Sequence, residues 1–180
     1  MAGPVDASVH LRPFTEADLQ LLYRFATEPA FSLPFEWGGF GSPGKFRRQW
    51  EKDRFLGDGT HMLAVAETDD PAIGWVMRRD PELLGRKGWS WEIGMLLAPE
   101  HRGRGVGTVA HRLLAQYLFD TTTVNRLCAY TDVDNRAERR TLEKCGFHQE
   151  GVLRQVGFRS GQWRDLIAYA LLRDDELPDC

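Results

Sequence analysis

The apolar run WSWEIGMLL at 89–97 is followed by the turn APEHRGRG and then by the amphipathic stretch VGTVAHRLLAQYLF. A strand that ends in a glycine-rich turn and reopens as a helix constrains the fold more than any other feature of this chain. The helix must lie back over the sheet to which the strand belongs. Val106, Val109, Ala110, Leu113, Leu114 and Tyr117 recur at helical spacing and form the stripe that packs on it. A turn that only reverses direction rarely needs the three glycines and two arginines found in HRGRGVG at 101–107. Small residues let backbone N–H groups converge, and a helix start adds unpaired donors and partial positive charge. An anion such as a pyrophosphate fits that cradle. A merely tight connection is the plain alternative.

The rest of the chain supplies the sheet. VHLRPF reads as a strand, and FTEADLQLLYRFA as a helix with Thr15 at its cap and Asp18 at the third position. EPAFSLPFEWGGFGSPG at 28–44 mixes prolines, glycines and aromatics, which suits a loop or a broken helix. Ser42-Pro43 can open a further helix over KFRRQWEKDRFL. HMLAVAET at 61–68 and AIGWVMRR at 72–79 read as a hairpin around DDP. VNRLCAYT at 124–131 is a strand, and the helix in DVDNRAERRTLEKCGF stops at Gly146. HQEGVLRQVGF and WRDLIAYALL are two last strands around RSGQ. This order specifies an α/β chain, one mixed sheet covered by helices, in a single domain over 9–175 with loose ends at 1–8 and 176–180.

Composition excludes several classes. The 180 residues carry a formal net charge of -3, which argues against a sequence-independent nucleic-acid binder. No apolar run approaches membrane-spanning length, and no leader-like segment opens the chain, so the expected place is the cytoplasm. Cys128, Cys145 and Cys180 form no CxxC pair, and the histidines show no metal-ligand spacing, so no metal is expected. A Walker A loop needs a lysine before a Ser or Thr. Here Thr108 follows Gly107 directly. A dinucleotide fingerprint needs a third glycine where Thr108 stands.

The segment WEIGMLLAPEHRGRGVGTVAHRLLAQYLF resembles the acetyl-coenzyme A binding segment of the GNAT N-acetyltransferases. Arg102, Gly105 and Gly107 match its Arg/Gln-x-x-Gly-x-Gly/Ala pattern, and Glu92 takes the acidic position on the preceding strand. Downstream, Asn135, Lys144, Gly146, Phe147, Glu150, Gly151, Leu153 and Arg154 resemble the RimJ/RimL-like branch, which acetylates ribosomal-protein N-termini. The early LRPFTEADLQLLYRF and the late WRDLIAYALL, with Asp165 in an acidic place, extend the likeness over about 9–173. One position departs from the branch: Glu138 stands where it has Ser.

The resemblance implies a mostly antiparallel sheet flanked by helices, with a splayed central strand pair that admits acetyl-CoA. It implies that Met95, Leu96 and Leu97 run beside the pantetheine arm. Arg102, Gly103, Arg104, Gly105, Val106, Gly107 and Thr108 then hold the phosphates, and Asn135 belongs with the cofactor. The expected chemistry is direct attack of an amine on the thioester, with Glu92 as the base and Glu138 as a second candidate catalytic group. Glu138 also fits a capping box with Asn135, which is the plainer role. Phe31, Phe35, Glu36 and Trp37 on one wall and Arg154 on the other are the expected acceptor contacts. The family branch points to a peptide or protein N-terminus. Glu138 and the aromatic loop point to a small-molecule amine. A non-catalytic module that binds acetyl-CoA is the third possibility. No nucleic acid or membrane partner is expected, and either a monomer or a homodimer fits.

Overall fold

The computed structural model describes residues 9–42, 44–67, 71–81 and 89–178. Among these residues seven strands form one sheet: β1 (His10–Arg12), β2 (Thr60–Ala66), β3 (Gly74–Arg79), β4 (Ser90–Leu97), β5 (Arg126–Asp132), β6 (His148–Arg159) and β7 (Gln162–Leu172). Their spatial order is β1-β2-β3-β4-β5-β7-β6. All neighbours are antiparallel except β4 and β5. That one parallel pair requires a crossover, which α4 (Val106–Thr121) supplies. The other helices are α1 (Leu19–Thr27), α2 (Pro29–Ser32), α3 (Gly44–Asp53) and α5 (Arg136–Lys144). This is the mixed sheet covered by helices that the element order specified, with the mostly antiparallel pairing that the family resemblance implied. The hairpin turn expected at DDP and the connection DPELLGRKG lie mainly outside the described residues.

Strand alternation divides the core between the two faces. Leu63 and Val65 of β2 pack with Leu114 and Leu118 of α4 and with Leu142 of α5, while Ala64 faces Leu19, Leu22 and Phe25 of α1. Buried aromatic edges, Phe14 on Phe55 at 5.1 Å and Phe25 on Phe31 at 5.5 Å, fill the second layer.

Helix ends are closed by long-range groups. Thr15 was expected to cap α1, but the helix begins at Leu19 with Asp18 at the cap. The Thr15 backbone N–H and hydroxyl both donate to Asp18 Oδ2, at 2.7 and 2.8 Å. The fully buried Asp18 also accepts from Arg12 and from Ala72 N, so it ties β1 and the approach to β3 to the helix start. At the far end of α4, Arg173 donates to the carbonyls of Phe119, Thr122 and Val124. Gly146 follows α5 at φ 85°, as its place in the sequence suggested.

Candidate active site

The β4–β5 ladder is short. Ser90 pairs Arg126, Trp91 pairs Leu127 and Glu92 pairs Cys128, and there the pairing ends. Beyond Glu92, β4 stays with β3, while β5 from Ala129 stays with β7. The two strands part and leave a cleft of about 820 Å³. Met95, Leu96 and Leu97 line one side, and Tyr130, Thr131 and Asp132 the other. Gly103, Gly105, Gly107 and Thr108 close one end, and Phe35, Glu36, Phe158 and Arg159 stand at the opposite mouth.

The glycine-rich turn is built for close approach. After a 3-10 turn at Pro99–His101, Gly103 and Gly105 adopt φ 73° and 85°, a region that favours glycine. Gly105 caps α4, and its carbonyl accepts from Thr108 N at 3.0 Å and Val109 N at 3.3 Å. The N–H groups just before Thr108 are those a helix start leaves without an intrahelical acceptor. A Cβ on Gly107 would lie 2.9 Å from Met95 Cε, so the helix start presses against β4. A Cβ on Gly103 would meet nothing within 4 Å, so the cradle is open on that side.

The arginines of this turn sit differently from expectation. Arg102 borders the cleft, but its guanidinium is turned to backbone carbonyls: Nε to Leu97 O at 2.9 Å, Nη1 to Leu33 O at 3.0 Å and Nη2 to Phe31 O. Arg104 reaches away to Glu67 at 3.0 Å and to His101 at 3.3 Å, and Val106 is buried in the core. Neither the Arg104 nor the Val106 side chain lines the cleft. The cradle is therefore made of backbone and glycine, with its two arginine side chains already engaged.

Glu92 is 7% exposed on the cleft wall. Arg79 Nη2 donates to its Oε1 at 2.6 Å, while the buried Oε2 has no hydrogen-bond partner among the described residues. Tyr130 OH is likewise buried, with the Cys128 thiol beside it. Burial, with the Cys128 thiol and the Glu92 charge nearby, pushes the Tyr130 phenol far above its ordinary range. Burial also raises the Cys128 thiol, whose Sγ donates to Trp91 O at 3.4 Å. Neither cysteine thiol in the described core is poised as a nucleophile, since Cys145 too is fully buried.

Asn135 caps α5: its Oδ1 accepts from Glu138 N at 3.2 Å. The return arm of a capping box is absent, because Asn135 N donates to Asp132 O instead. The Glu138 carboxylate turns to the cleft and to His111, with Oε1 3.4 Å from Nε2. His111 is fully buried on α4, and its Nδ1 lies 3.3 Å from Gly107 O. At the mouth Glu36 is solvent-exposed as a residue, but the protein atoms crowded around its carboxyl desolvate it and push it up, and the Glu138 charge adds to this, while Arg159 and Arg79 pull it down.

Three expected acceptor contacts lie elsewhere. Phe31 is 4% exposed and belongs to the core under Arg24, not to the cleft wall. Trp37 packs edge-on against Phe40, outside the cleft lining. Arg154 sits in a β6 bulge between Leu153 and Gly157, where Gln155 N donates to Asp165 Oδ1 at 2.8 Å. Its side chain borders a small separate hollow. The bulge turns Arg154 and Gln155 to that hollow, while Val156 and Gly157 still line the cleft. Arg79, Tyr130, Asp132, His111 and Arg159, which sequence reasoning missed, complete the site. Nothing in their local pattern marks them, because each is brought in by strand pairing or by a partner distant in sequence.

The acetyltransferase (GNAT) domain model matches residues 8–148. The probable N-acetyltransferase YjcK of Bacillus subtilis is 37% identical over 84 residues, 47% of this chain and 46% of its own length. The putative ribosomal N-acetyltransferase YdaF of the same organism is 32% identical over 105 residues, 58% of this chain and 56% of its own length. The chain thus spans about half the length of these curated relatives. Spermidine N-acetyltransferase from Vibrio cholerae, solved in complex with CoA and spermine, superposes with a TM-score of 0.79 at 19% identity. That superposition covers 94% of this chain and 98% of the other, and it shows a shared fold. Among the described residues no helix is long and apolar enough to cross a membrane.

Proposed function

The chain belongs to the GNAT acetyltransferase family, and on that premise we propose that it transfers the acetyl group of acetyl-CoA to a primary amine. The observation that carries this reading is the broken β4–β5 ladder, which opens beside a Glu92 oxygen that no described residue bonds and ends on a glycine-rich helix start. The residues present fit the cofactor. The open side of Gly103 and the N–H groups before Thr108 suit its phosphates, and Met95–Leu97 offer a strand edge freed from β5. When bound, acetyl-CoA supplies the thioester carbonyl that the amine attacks.

The chain's part is proton handling and placement. An ammonium has no lone pair, so the acceptor must lose a proton before attack. Glu92 Oε2 receives it, directly or through water, while Arg79 keeps the other oxygen fixed. Neither a metal nor a covalent intermediate on the protein is part of this reading.

The acceptor we propose is a small amine that carries a further positive charge. Glu36 and Glu138 oppose each other electrostatically at the mouth, and a second ammonium between them relieves that repulsion. A peptide N-terminus is the second reading. It is favoured by the exposed edge-to-face pair Phe158 and Trp163 at the rim, 5.2 Å apart, which offers apolar contact to a chain. Thiol release and product mass, measured with acetyl-CoA against spermidine, butylamine and short free-N-terminal peptides, decide between them. The expected result is a kcat/KM for spermidine at least about tenfold above the best peptide, about 1.4 kcal/mol of discrimination. Glu36→Gln should raise KM for spermidine and leave butylamine unaffected. A peptide that outpaces every polyamine by about a hundredfold overturns the choice of acceptor.

A further inference from the structure

The segment 31–36 runs across the cleft mouth, and its carbonyls are held by two arginines from opposite sides of the broken sheet. Arg102, at the end of the β4 side, donates to Phe31 O and to Leu33 O, the latter at 3.0 Å. Its third nitrogen holds Leu97 O at 2.9 Å, so one guanidinium joins this strap to the last residue of β4. Arg159, at the end of β6, donates to Pro34 O at 3.0 Å and lies 4.9 Å from the Phe35 ring centre. Its other arm donates to Asp132 Oδ2 at 2.6 Å, on the end of β5.

We propose that Arg102 and Arg159 are positioning residues for the acceptor, pinning the 31–36 strap to both sides of the cleft so that Glu36 faces the incoming amine. Phe31 and Ser32 are anchored in the core, with Ser32 Oγ donating to Phe25 O at 3.1 Å, but residues 33–36 have little of their own to fix them. Leu33 N donates to Pro29 O at 2.9 Å and Glu36 N to Ser32 O at 2.8 Å, while Leu33 is 42% exposed. A four-residue helix cannot set the direction of the residues after it. The two guanidinium groups do. Each is a planar fork, Arg102 bonding three acceptors and Arg159 two at fixed angles, which a lysine ammonium does not reproduce. The first residue of the glycine-rich motif therefore serves the acceptor side, although its place in the motif suggests a phosphate contact.

The inference rests on the proposed function in its calorimetric and kinetic arms. Hydrogen exchange on the free protein stands without it. In Arg102→Met the Leu33 and Glu36 amides should exchange at least about tenfold faster than in the wild type. Acetyl-CoA affinity by calorimetry should stay within about threefold, and KM for the amine should rise with kcat little changed. Arg159→Met should loosen the same two amides. Arg102→Lys, which keeps the stem and one donor, should fall between and decides the matter if the Met variant does not fold. Unchanged exchange at both amides overturns the proposal. So does a tenfold or greater loss of acetyl-CoA affinity, which would make Arg102 a phosphate contact. Failure of the wild type to bind acetyl-CoA would instead count against the proposed function, and the exchange result would still judge the strap.

Discussion

Glu92 shows how a single carboxylate can be both fixed and available. Its Oε1 is taken by Arg79 at 2.6 Å, and its Oε2 is buried on the wall of the cleft with no partner among the described residues. A bare buried oxygen costs stability unless something bonds it. A transient proton or an ordered water is the natural occupant. Glu92→Gln keeps the shape and removes the proton affinity. It should lower kcat by about ten- to ten-thousand-fold, the span of general acid–base contributions, and leave acetyl-CoA affinity nearly unchanged. Parallel rate and calorimetric measurements check this, and an unchanged rate would move the base elsewhere. Glu138 differs in kind. Its backbone N–H serves the helix cap through Asn135, which leaves the side chain to face His111 and the cleft. The cap was legible from the spacing of Asn135 and Glu138. The direction of the carboxylate was not, because His111 comes from another helix.

At the scale of elements, the strand–turn–helix unit carries most of the site. Gly105 caps α4 at φ 85°, and the helix N–H groups behind it face the cleft. Gly105→Trp should abolish acetyl-CoA binding measured by calorimetry, while the circular dichroism of the sheet and helices survives. Retained affinity would place the phosphates elsewhere. This unit was legible because its periods are clean: an apolar strand, three alternate glycines, then an apolar helical stripe. The final hairpin and α5 were legible for the same reason, with Gly146 and the RSGQ turn as punctuation. The start of α1 was misplaced because the Asp18 carboxylate answers to Arg12 and to Ala72 N, 54 residues away. Arg102 was misread for a like reason, since its carbonyl partners Leu33 and Phe31 lie 69 and 71 residues earlier. The break in the β4–β5 ladder leaves no mark on hydrophobic period. It entered the reading only through the family resemblance.

For the whole molecule, ion pairs, the buried Arg12–Asp18 pair first among them, set the response to acid. Burial alone would raise the Asp18 carboxyl, but Arg12 with the N–H groups of Thr15 and Ala72 brings it from 3.8 down to about 2. Arg159 likewise holds Asp132 low against its burial, and Arg126 holds Glu150 low. A carboxyl whose folded pKa lies below its unfolded one adds stability above the unfolded value and loses it as pH falls toward the folded one. For Asp18 that loss is about 2 kcal/mol, spread between about pH 4 and pH 2. Urea midpoints measured from pH 7 to pH 2.5 should fall steeply through this window. Asp18→Asn should be less stable at pH 7 and show a flatter decline, and an equal slope in both proteins would remove Asp18 from the account. The short β4–β5 seam has a different consequence. Strands β1 to β4 and β5 to β7 are two slabs, each contiguous in sequence, joined edge to edge by only three residue pairs. A molecule lodged in the gap touches both slabs and acts as a keystone. At a hundred times its Kd such an occupant adds about 2.7 kcal/mol to the folded state. The loaded protein should therefore melt as one block, and the empty one should give way first along the seam.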